Sequence, residues 1–336
     1  MSTAPTPGLT PARIFESLLA HQQSCALNAA IELDIFTAIA EGATTAAEIG
    51  ARSNASERGV RILCDYLITH GFLTGKTNNY ACSPEAAVFL NRKSPAYLGT
   101  TARFLFGEFP LADWPKLTDS VRKGGTFRHG QGTVEADNPT WVVFARAMAP
   151  MAHMNAKVMA ERVAGSGPKK VLDIAAGHGL YGISIAQLNP QAEVVAQDWA
   201  AVLEVAAENA AAAGVADRFK TLPGSAFEVD FGSGFDLILL TNFLHHFDVA
   251  TNDLLLRKVH EALAPEGKAV ACEFVPNEDR VTPAFPARFA LMMLHSTPAG
   301  DAYTLREYDS MFREAGFSGT ESFILPTQQS MIISTK

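Results

Sequence analysis

Lys169-Lys170-Val171-Leu172-Asp173-Ile174-Ala175-Ala176-Gly177-His178-Gly179-Leu180-Tyr181-Gly182-Ile183-Ser184 is the stretch that decides the fold. Two lysines lead into an apolar run that ends on an acid, Asp173. A turn of small residues follows, from Ile174 to Gly179, before apolar periodicity resumes at Leu180. This pattern predicts a strand, a tight glycine loop and a helix start. Such a loop brings backbone N–H groups and a positive helix end up to a ligand, and glycine is needed wherever a side chain would hold that ligand away. An adenosine-sized ligand suits it.

The same letters fit two cofactors. Gly177, Gly179 and Gly182 spell G-x-G-x-x-G, the dinucleotide fingerprint, and Asp198 ends the next apolar run, Val194-Val195-Ala196, where a ribose-binding acid belongs. Asp173 separates the two. A carboxylate ahead of the loop would repel a pyrophosphate but suits a ligand carrying an ammonium and a sulfonium. The reading favours S-adenosyl-L-methionine over NAD, with an NAD-dependent oxidoreductase as the rival and a glycine turn without a ligand as the plain alternative.

Downstream, strands and helices alternate. Strands are expected at Glu193–Gln197, 219–222, Phe235–Thr241 and 267–273, with helices at Ala200–Ala213 and 254–263 between them. Two further strands, 321–325 and 331–334, flank Pro326-Thr327-Gln328-Gln329. Phe235–Thr241 is nearly continuous in apolar residues, as expected of a strand buried on both faces of a parallel sheet. Ligands of such sheets lie outside the carboxyl ends of the strands. Asp173, Asp198, His245 and Glu273 follow four of them.

Upstream, Thr10-Pro11 opens a helix with Ile14, Leu18 and Leu19 on one face, and a second apolar helix is expected from Cys25 to Phe36. Thr45-Ala46-Ala47-Glu48 is a capping box, and Asn54-Ala55-Ser56-Glu57 a similar start. A short hairpin over 72–82 and a helix capped by Ser83-Pro84-Glu85 complete a winged helix-turn-helix pattern. The charge count argues against nucleic acid. Residues 1–100 hold seven basic side chains (Arg13, Arg52, Arg58, Arg61, Lys76, Arg92, Lys93) and eight acidic ones (Glu16, Glu32, Asp34, Glu41, Glu48, Glu57, Asp65, Glu85). Phosphate binding needs a cationic surplus. Pairing with a second copy is the alternative use of such a domain.

Between the two parts, 97–120 is aromatic and loop-like, with Phe104, Phe106, Phe109 and Trp114, and 125–140 reads as an exposed connection. A long helix is expected from Pro139 to Val163. Its methionines, Met148 among them, serve either as core or as an adaptable wall for an aromatic acceptor. Gly165-Ser166-Gly167-Pro168 is the clearest junction.

Composition agrees with a large globular chain. Of 336 residues, 48% are hydrophobic and 18% charged, and the net charge of −8 argues against a polyanionic partner. Cys25, Cys64, Cys82 and Cys272 lack C-x-x-C spacing, so neither a zinc knuckle nor a disulfide framework is expected, and a reducing cytoplasm fits. Pro5, Pro7 and Gly8 suggest a loose tail without secretory character, and no apolar run is as long as a membrane span.

Taken together, these residues resemble the class I S-adenosylmethionine-dependent O-methyltransferases of the caffeate and hydroxyindole type, over nearly the whole chain. The resemblance implies an α/β, Rossmann-like sheet with a terminal antiparallel hairpin, preceded by a mostly helical winged-helix dimerisation domain. The domains expected are 1–105 for dimerisation, 106–165 as connecting helices contributing to the acceptor pocket, and 166–336 for cofactor binding and catalysis. VLDIAAGHG is similar to the family's cofactor loop, with Ala175 and Ala176 replacing two glycines. Asp173, Ala175, Gly177, Gly179, Asp198, Trp199, Ser225, Ala226, Phe227 and Thr241 are implied in the cofactor site, Ser225 standing where an aspartate is common.

The resemblance also carries the catalytic positions. His245 matches the catalytic histidine and Glu273 a glutamate flanking it, whereas the second flanking glutamate maps near Ala302, where this chain lacks it and Asp301 is adjacent. Met148, Phe289, Met292, Met293 and Thr297 fall on acceptor positions. A phenol, with a pKa of about 10, needs a base, and a histidine of pKa about 6.5 can take its proton as attack on the methyl begins. Glu273 would orient that ring. His246 is expected to be structural or a helper, and His178 to face solvent. A metal site from His245, His246 and Asp248 is not expected, because adjacent side chains diverge on a strand or helix. Methylation at nitrogen or carbon with the same cofactor is the nearest alternative.

Overall fold

The computed structural model describes residues 9–106 and 111–336. The expected tail at Pro5, Pro7 and Gly8, and Phe109, lie outside the described residues. The chain divides into two compact units, 1–102 and 103–336.

The first unit begins with α1 (Ala12–Glu32), followed by α2 (Ile35–Ala40), α3 (Ala46–Ser53) and α4 (Glu57–Thr69). Where two helices were expected over 10–36, α1 runs unbroken through Cys25, because 21–28 holds neither glycine nor proline. The break falls at Asp34, in the left-handed region at φ 57°. Thr45 and Glu48 form the expected capping box, the Glu48 N–H donating to Thr45 Oγ1 at 3.2 Å and the Thr45 N–H to Glu48 Oε2 at 3.0 Å. Ser56, not Asn54, caps α4, while Asn54 closes α3 in a left-handed conformation. The hairpin β1 (Leu73–Lys76) and β2 (Asn79–Cys82) is pinned to α4 by the Tyr80 hydroxyl, which donates to Asp65 Oδ1 at 2.8 Å. The helix α5 (Pro84–Phe89) follows its Ser83 cap. Ile35, Phe36, Ile49, Val60, Leu67, Leu73 and Tyr80 form the core. Burial of each such side chain stabilises the unit by roughly 1.5–3 kcal/mol. Ile14, Phe15, Leu18 and Leu19 of α1 stay exposed, at 48–66%.

In the second unit the strands are β3 (Lys170–Ile174), β4 (Glu193–Asp198), β5 (Phe219–Pro223), β6 (Phe235–Thr241), β7 (Leu263–Glu273), β8 (Thr320–Ile324) and β9 (Ser330–Thr335). They form one sheet in the order β5-β4-β3-β6-β7-β9-β8. The first five are parallel, and β9 runs antiparallel between β7 and β8, which is the expected terminal hairpin. Alternate residues of β6 feed two cores, Ile238 and Leu240 on one face, Leu237 and Leu239 on the other. The apolar run of β6 follows from burial on both faces.

The helices α6 (Thr101–Leu105), α7 (Leu117–Lys123) and α8 (Thr140–Ala164) precede β3, and α9 (Leu180–Leu188), α10 (Ala200–Ala212), α11 (Val249–Ala262), α12 (Ala284–Ser296) and α13 (Leu305–Glu314) lie between the strands. Two expectations for this region are corrected. The described residues of 97–120 carry short helical segments, at 101–105, 111–116 and from 117, rather than loop alone. The connection over 125–140 is partly buried, Thr126 and Thr133 being 1% and 5% exposed. The Thr126 N–H donates to Thr297 O at 2.8 Å and Thr133 Oγ1 to Ser296 O at 3.1 Å, so the segment covers the open carbonyls ending α12.

Candidate active site

The G-x-G-x-x-G loop folds as its spacing requires. Gly179 has φ 73°, and a Cβ there would lie 3.0 Å from the Ala206 Cβ and 3.1 Å from the Phe219 ring. Gly182 is needed for closeness alone, since its Cβ would meet Val194 Cγ1 at 2.8 Å and Asp173 Oδ2 at 3.0 Å. Ala175, where the resemblance leads one to expect glycine, holds φ 52°, an uncommon backbone for a residue with a Cβ. Its N–H donates to Gln197 Oε1 at 3.3 Å, and Gln197 Nε2 donates to Gly224 O at 2.5 Å, so one β4 side chain ties together the loops after β3 and β5.

A cavity of about 900 Å³, counting its open mouth, lies at the carboxyl ends of β3, β4 and β6. Of the ten residues that the resemblance implies in the cofactor site, Ala175, Gly177, Asp198, Trp199, Ser225, Ala226, Phe227 and Thr241 line this cavity. Asp198 Oδ2 accepts the Gly177 N–H at 2.8 Å and Oδ1 the Trp199 N–H at 2.7 Å. Each oxygen keeps a lone pair for a hydroxyl donor. Burial pushes the Asp198 carboxyl up to about 6, against the pull of those two N–H groups.

Gly179 and Asp173 stand behind the lining. Asp173 is fully buried; Oδ2 accepts the Gly182 N–H at 3.0 Å and Oδ1 has no partner among the described residues. Burial drives its carboxyl up to about 8, the Gly182 N–H opposing and the Asp198 charge adding to the rise. Among the residues implied in the cofactor site, Asp173 and Gly179 do not line the cavity.

The lining suits a cationic ligand better than a pyrophosphate. None of the described residues lining the cavity is lysine or arginine, whereas Trp141, Phe144, Tyr181 and Phe243 supply aromatic faces. Tyr181, Asn242, Trp141 and Phe144 were not singled out as cavity residues by the sequence. Tyr181 sits in the quoted stretch itself, and Asn242 follows a strand end at φ 55°, a conformation that asparagine tolerates. Those two positions were findable.

His245 and Glu273 meet at the tips of β6 and β7. His245 Nδ1 and Glu273 Oε2 form a short hydrogen bond, both side chains being buried. Glu273 Oε1 accepts the N–H groups of Phe243 and Leu244 at 3.0 and 2.9 Å, so the carboxylate is fixed by the turn that bears the histidine. Among the described residues, His245 Nε2 has no hydrogen-bond partner.

The turn after β6 also sets how the two histidines lie. Leu244–His246 is a 3₁₀ turn, and the rings of His245 and His246 lie side by side, centroids 4.3 Å apart, instead of diverging as on a strand or helix. His246, not His245, lines the cavity, and its Nδ1 meets Phe243 O at 3.2 Å. Burial first, and then His245, pushes the His246 imidazole well below the usual range, which keeps it neutral. His178 corrects a second expectation. It is 5% exposed rather than solvent-facing, accepts the Leu180 N–H through Nδ1 at 3.2 Å, and is depressed to about 4 by burial.

The implied acceptor residues are more scattered. The rings of Phe289, on α12, and His245 meet nearly at right angles with centroids 4.7 Å apart, and Phe289 packs against Phe274 with centroids 4.3 Å apart. Met148 and Met292 are half-buried and Met293 is buried; none of the three lines the cavity. Thr297 is fully buried and occupied internally, its hydroxyl donating to Met293 O at 2.7 Å and accepting the Gly300 N–H at 2.8 Å. Asp301 does not bring a second carboxylate to His245. Its backbone N–H reaches His245 O at 3.0 Å, while its side chain pairs with Arg280 at 3.3 Å.

Comparison with known proteins accords with this architecture. The family model of the O-methyltransferase domain matches residues 114–318, and that of the O-methyltransferase dimerisation domain residues 15–92. A 3-hydroxy-5-methyl-1-naphthoate 3-O-methyltransferase of Streptomyces sahachiroi is 27% identical over 301 residues, 87% of this chain and 85% of that protein. A Nostoc punctiforme protein assigned as an O-methyltransferase superposes with a TM-score of 0.95 at 49% identity, covering 98% of this chain and 100% of that one. The S-adenosyl-L-methionine-dependent methyl transferase PigF of a Serratia strain is 24% identical over 98% of this chain and 97% of that protein, and a structure of PigF with SAH gives a TM-score of 0.83 at 26% identity, covering 98% of this chain and 100% of that one. With a matching model over more than half its length, a half-identical structural relative and a dimerisation module ahead of the catalytic one, the chain belongs to the O-methyltransferase family.

Proposed function

We propose that the protein is an S-adenosyl-L-methionine-dependent O-methyltransferase acting on a hydroxyl of a small aromatic or polyketide-like acceptor, with His245 as general base and Glu273 as its orienting partner. One observation carries the reading: a buried His–Glu pair stands at the strand tips directly beside a cavity whose described lining holds an acid and aromatic faces but no lysine or arginine. The cofactor, when bound, supplies an electrophilic methyl on a sulfonium sulfur.

The chain's own groups do the rest. Asp198 would take the ribose hydroxyls on its two free lone pairs, with Trp199, Ser225, Ala226 and Phe227 around the adenine. Ala175, Gly177 and Thr241 would bound the methionyl side, while Gly179 keeps the loop close to α10 and Asp173 lends its field to the cation. Glu273 accepts from His245 Nδ1 and so keeps Nε2 as the proton-accepting nitrogen. Phe289 on one side and His246 on the other limit how a flat acceptor reaches it. Met148, Met292 and Met293 would shape the acceptor space from behind the first layer. Holding oxygen, methyl and sulfur in line supplies the larger share of the acceleration.

The dimerisation domain, taken as 1–105, would pair with a second copy through its exposed apolar stripe, Ile14, Phe15, Leu18 and Leu19. Residues 106–165 would serve as connecting helices beside the acceptor, and 166–336 as the catalytic domain. Cytoplasmic residence fits four free cysteines, and no helix among the described residues is long and apolar enough to cross a membrane. The unit that carries the wing has no cationic surplus for nucleic acid. Incubating the chain with methyl-labelled S-adenosylmethionine and a set of hydroxynaphthoates, phenols and hydroxyquinones, with product analysis by mass spectrometry, tests the function. Label on oxygen, lost in His245→Ala, is expected. Label on nitrogen or carbon, or turnover of His245→Ala within about tenfold of the parent, would contradict it.

A further inference from the structure

Behind the cavity runs a file of three amides drawn from three distant parts of the chain. Asn155 belongs to α8, Gln329 to the turn between β8 and β9, and Asn242 to the tip of β6. Asn155 Nδ2 donates to Gln329 Oε1 at 2.8 Å and to Thr327 Oγ1 at 2.5 Å. The Thr327 hydroxyl donates its own hydrogen bond to Gln329 Oε1 at 3.2 Å. Gln329 Nε2 in turn donates to Asn242 Oδ1 in a short hydrogen bond. Asn155 and Gln329 are 1% and 4% exposed, whereas Asn242 is half-buried and lines the cavity. The file has a direction. With its oxygen taken by Gln329, Asn242 is left with its N–H groups, which interact with the Tyr181 hydroxyl and have no other side-chain partner among the described residues.

Asn242 follows β6, the neighbour of β3 with its Ala175, whereas Ser225–Phe227 follow β5, on the far side of β4 and β3 in the sheet order. If the ribose lies at Asp198, the β6 side receives the methionyl tail, whose carboxylate needs donors. Among the described lining residues no lysine or arginine is available to it. A fixed neutral N–H then counts for more. We propose that Gln329 and Asn155 are positioning residues that hold the Asn242 amide with its N–H toward the carboxylate of the methyl donor. This rests on the reading of the cavity as an S-adenosylmethionine site.

The test is calorimetry of the full chain and of Gln329→Glu with two ligands, S-adenosylhomocysteine, which carries the amino-acid tail, and 5′-methylthioadenosine, which lacks it. An ionised glutamate can accept from Asn155 but cannot donate to Asn242, so the amide turns and offers oxygen to the carboxylate. S-adenosylhomocysteine is expected to bind about tenfold more weakly or worse, with methylthioadenosine within about twofold of the parent. Equal weakening of both ligands would show a merely structural role and overturn the proposal, as would unchanged binding of S-adenosylhomocysteine. Should Gln329→Glu fail to fold, the same two titrations on Asn242→Asp decide, with the same outcomes. No binding of S-adenosylhomocysteine by the unaltered chain would instead overturn the cofactor reading itself, and this proposal with it.

Discussion

Asp173→Asn is expected to make the protein more stable and worse at holding its methyl donor. The native carboxyl is fully buried, with one oxygen on the Gly182 N–H and the other unpartnered, and its pKa lies at about 8 against 3.8 in the open chain. Because the folded value is the higher one, the folded state holds this proton more tightly. Stability is therefore undiminished below pH ~4, falls as pH rises toward 8, and is flat beyond. At pH 7 the accumulated cost is about 4 kcal/mol, at about 1.4 kcal/mol for each of some three pH units. Asparagine keeps an oxygen for Gly182 but buries an unpaired amide, at a cost of roughly 1–3 kcal/mol. The net gain is then about 1–3 kcal/mol at pH 7, or a Tm rise on the order of 5 °C for a unit of this size. Thermal unfolding of both proteins from pH 5 to 9 checks it, the gap widening with pH. S-adenosylmethionine should raise the Tm of the parent more than that of the variant, since only the carboxylate is helped by a nearby cation. A variant less stable than the parent at pH 8, or a gap independent of pH, would refute the reasoning.

Four further outcomes are expected. Glu273→Gln should lower kcat by about a hundredfold or more while leaving S-adenosylhomocysteine affinity within about twofold, because the carboxylate that accepts from His245 Nδ1 is lost and the cavity is not; stopped assays and calorimetry separate the two. S-adenosylhomocysteine should bind more tightly at pH 8 than at pH 5, by about tenfold, since Asp198 at about 6 must ionise to accept ribose hydroxyls; calorimetry at the two pH values decides. Gly182→Ala should cost about 2 kcal/mol in chemical denaturation, as the new methyl meets Val194 at 2.8 Å and Asp173 at 3.0 Å. Thr304→Ala should remove the capping box that opens α13, in which the Thr304 N–H donates to Glu307 at 2.8 Å, costing about 1 kcal/mol and 2–4 °C in Tm.

Much of the fold was legible because its signals are local. The glycine loop, the apolar run of β6, the caps at Thr45 and Ser83 and the terminal hairpin each depend on residues a few positions apart. Asp198 could be read for the same reason: it ends a short apolar run at a fixed distance from the loop. The misreadings lie where distant packing decides. Nothing near residues 125–140 announces that Thr126 and Thr133 cover the end of α12. The 3₁₀ turn that lays His246 beside His245 depends on Glu273, 28 residues away, binding the N–H groups of Phe243 and Leu244. The burial of Asp173 behind the loop follows from the approach of Gly182 to β4, which a linear pattern does not reveal. Gln329 and Asn155 look like ordinary polar residues until the hairpin turn meets α8.

The most direct test sets the two cofactors against each other on the same protein. Calorimetric titration of the full chain with S-adenosylhomocysteine and, separately, with NAD is expected to give saturable binding of one S-adenosylhomocysteine per chain and no heat of binding from NAD. Saturable binding of NAD, with S-adenosylhomocysteine leaving the protein indifferent, would contradict a cavity built for a sulfonium donor.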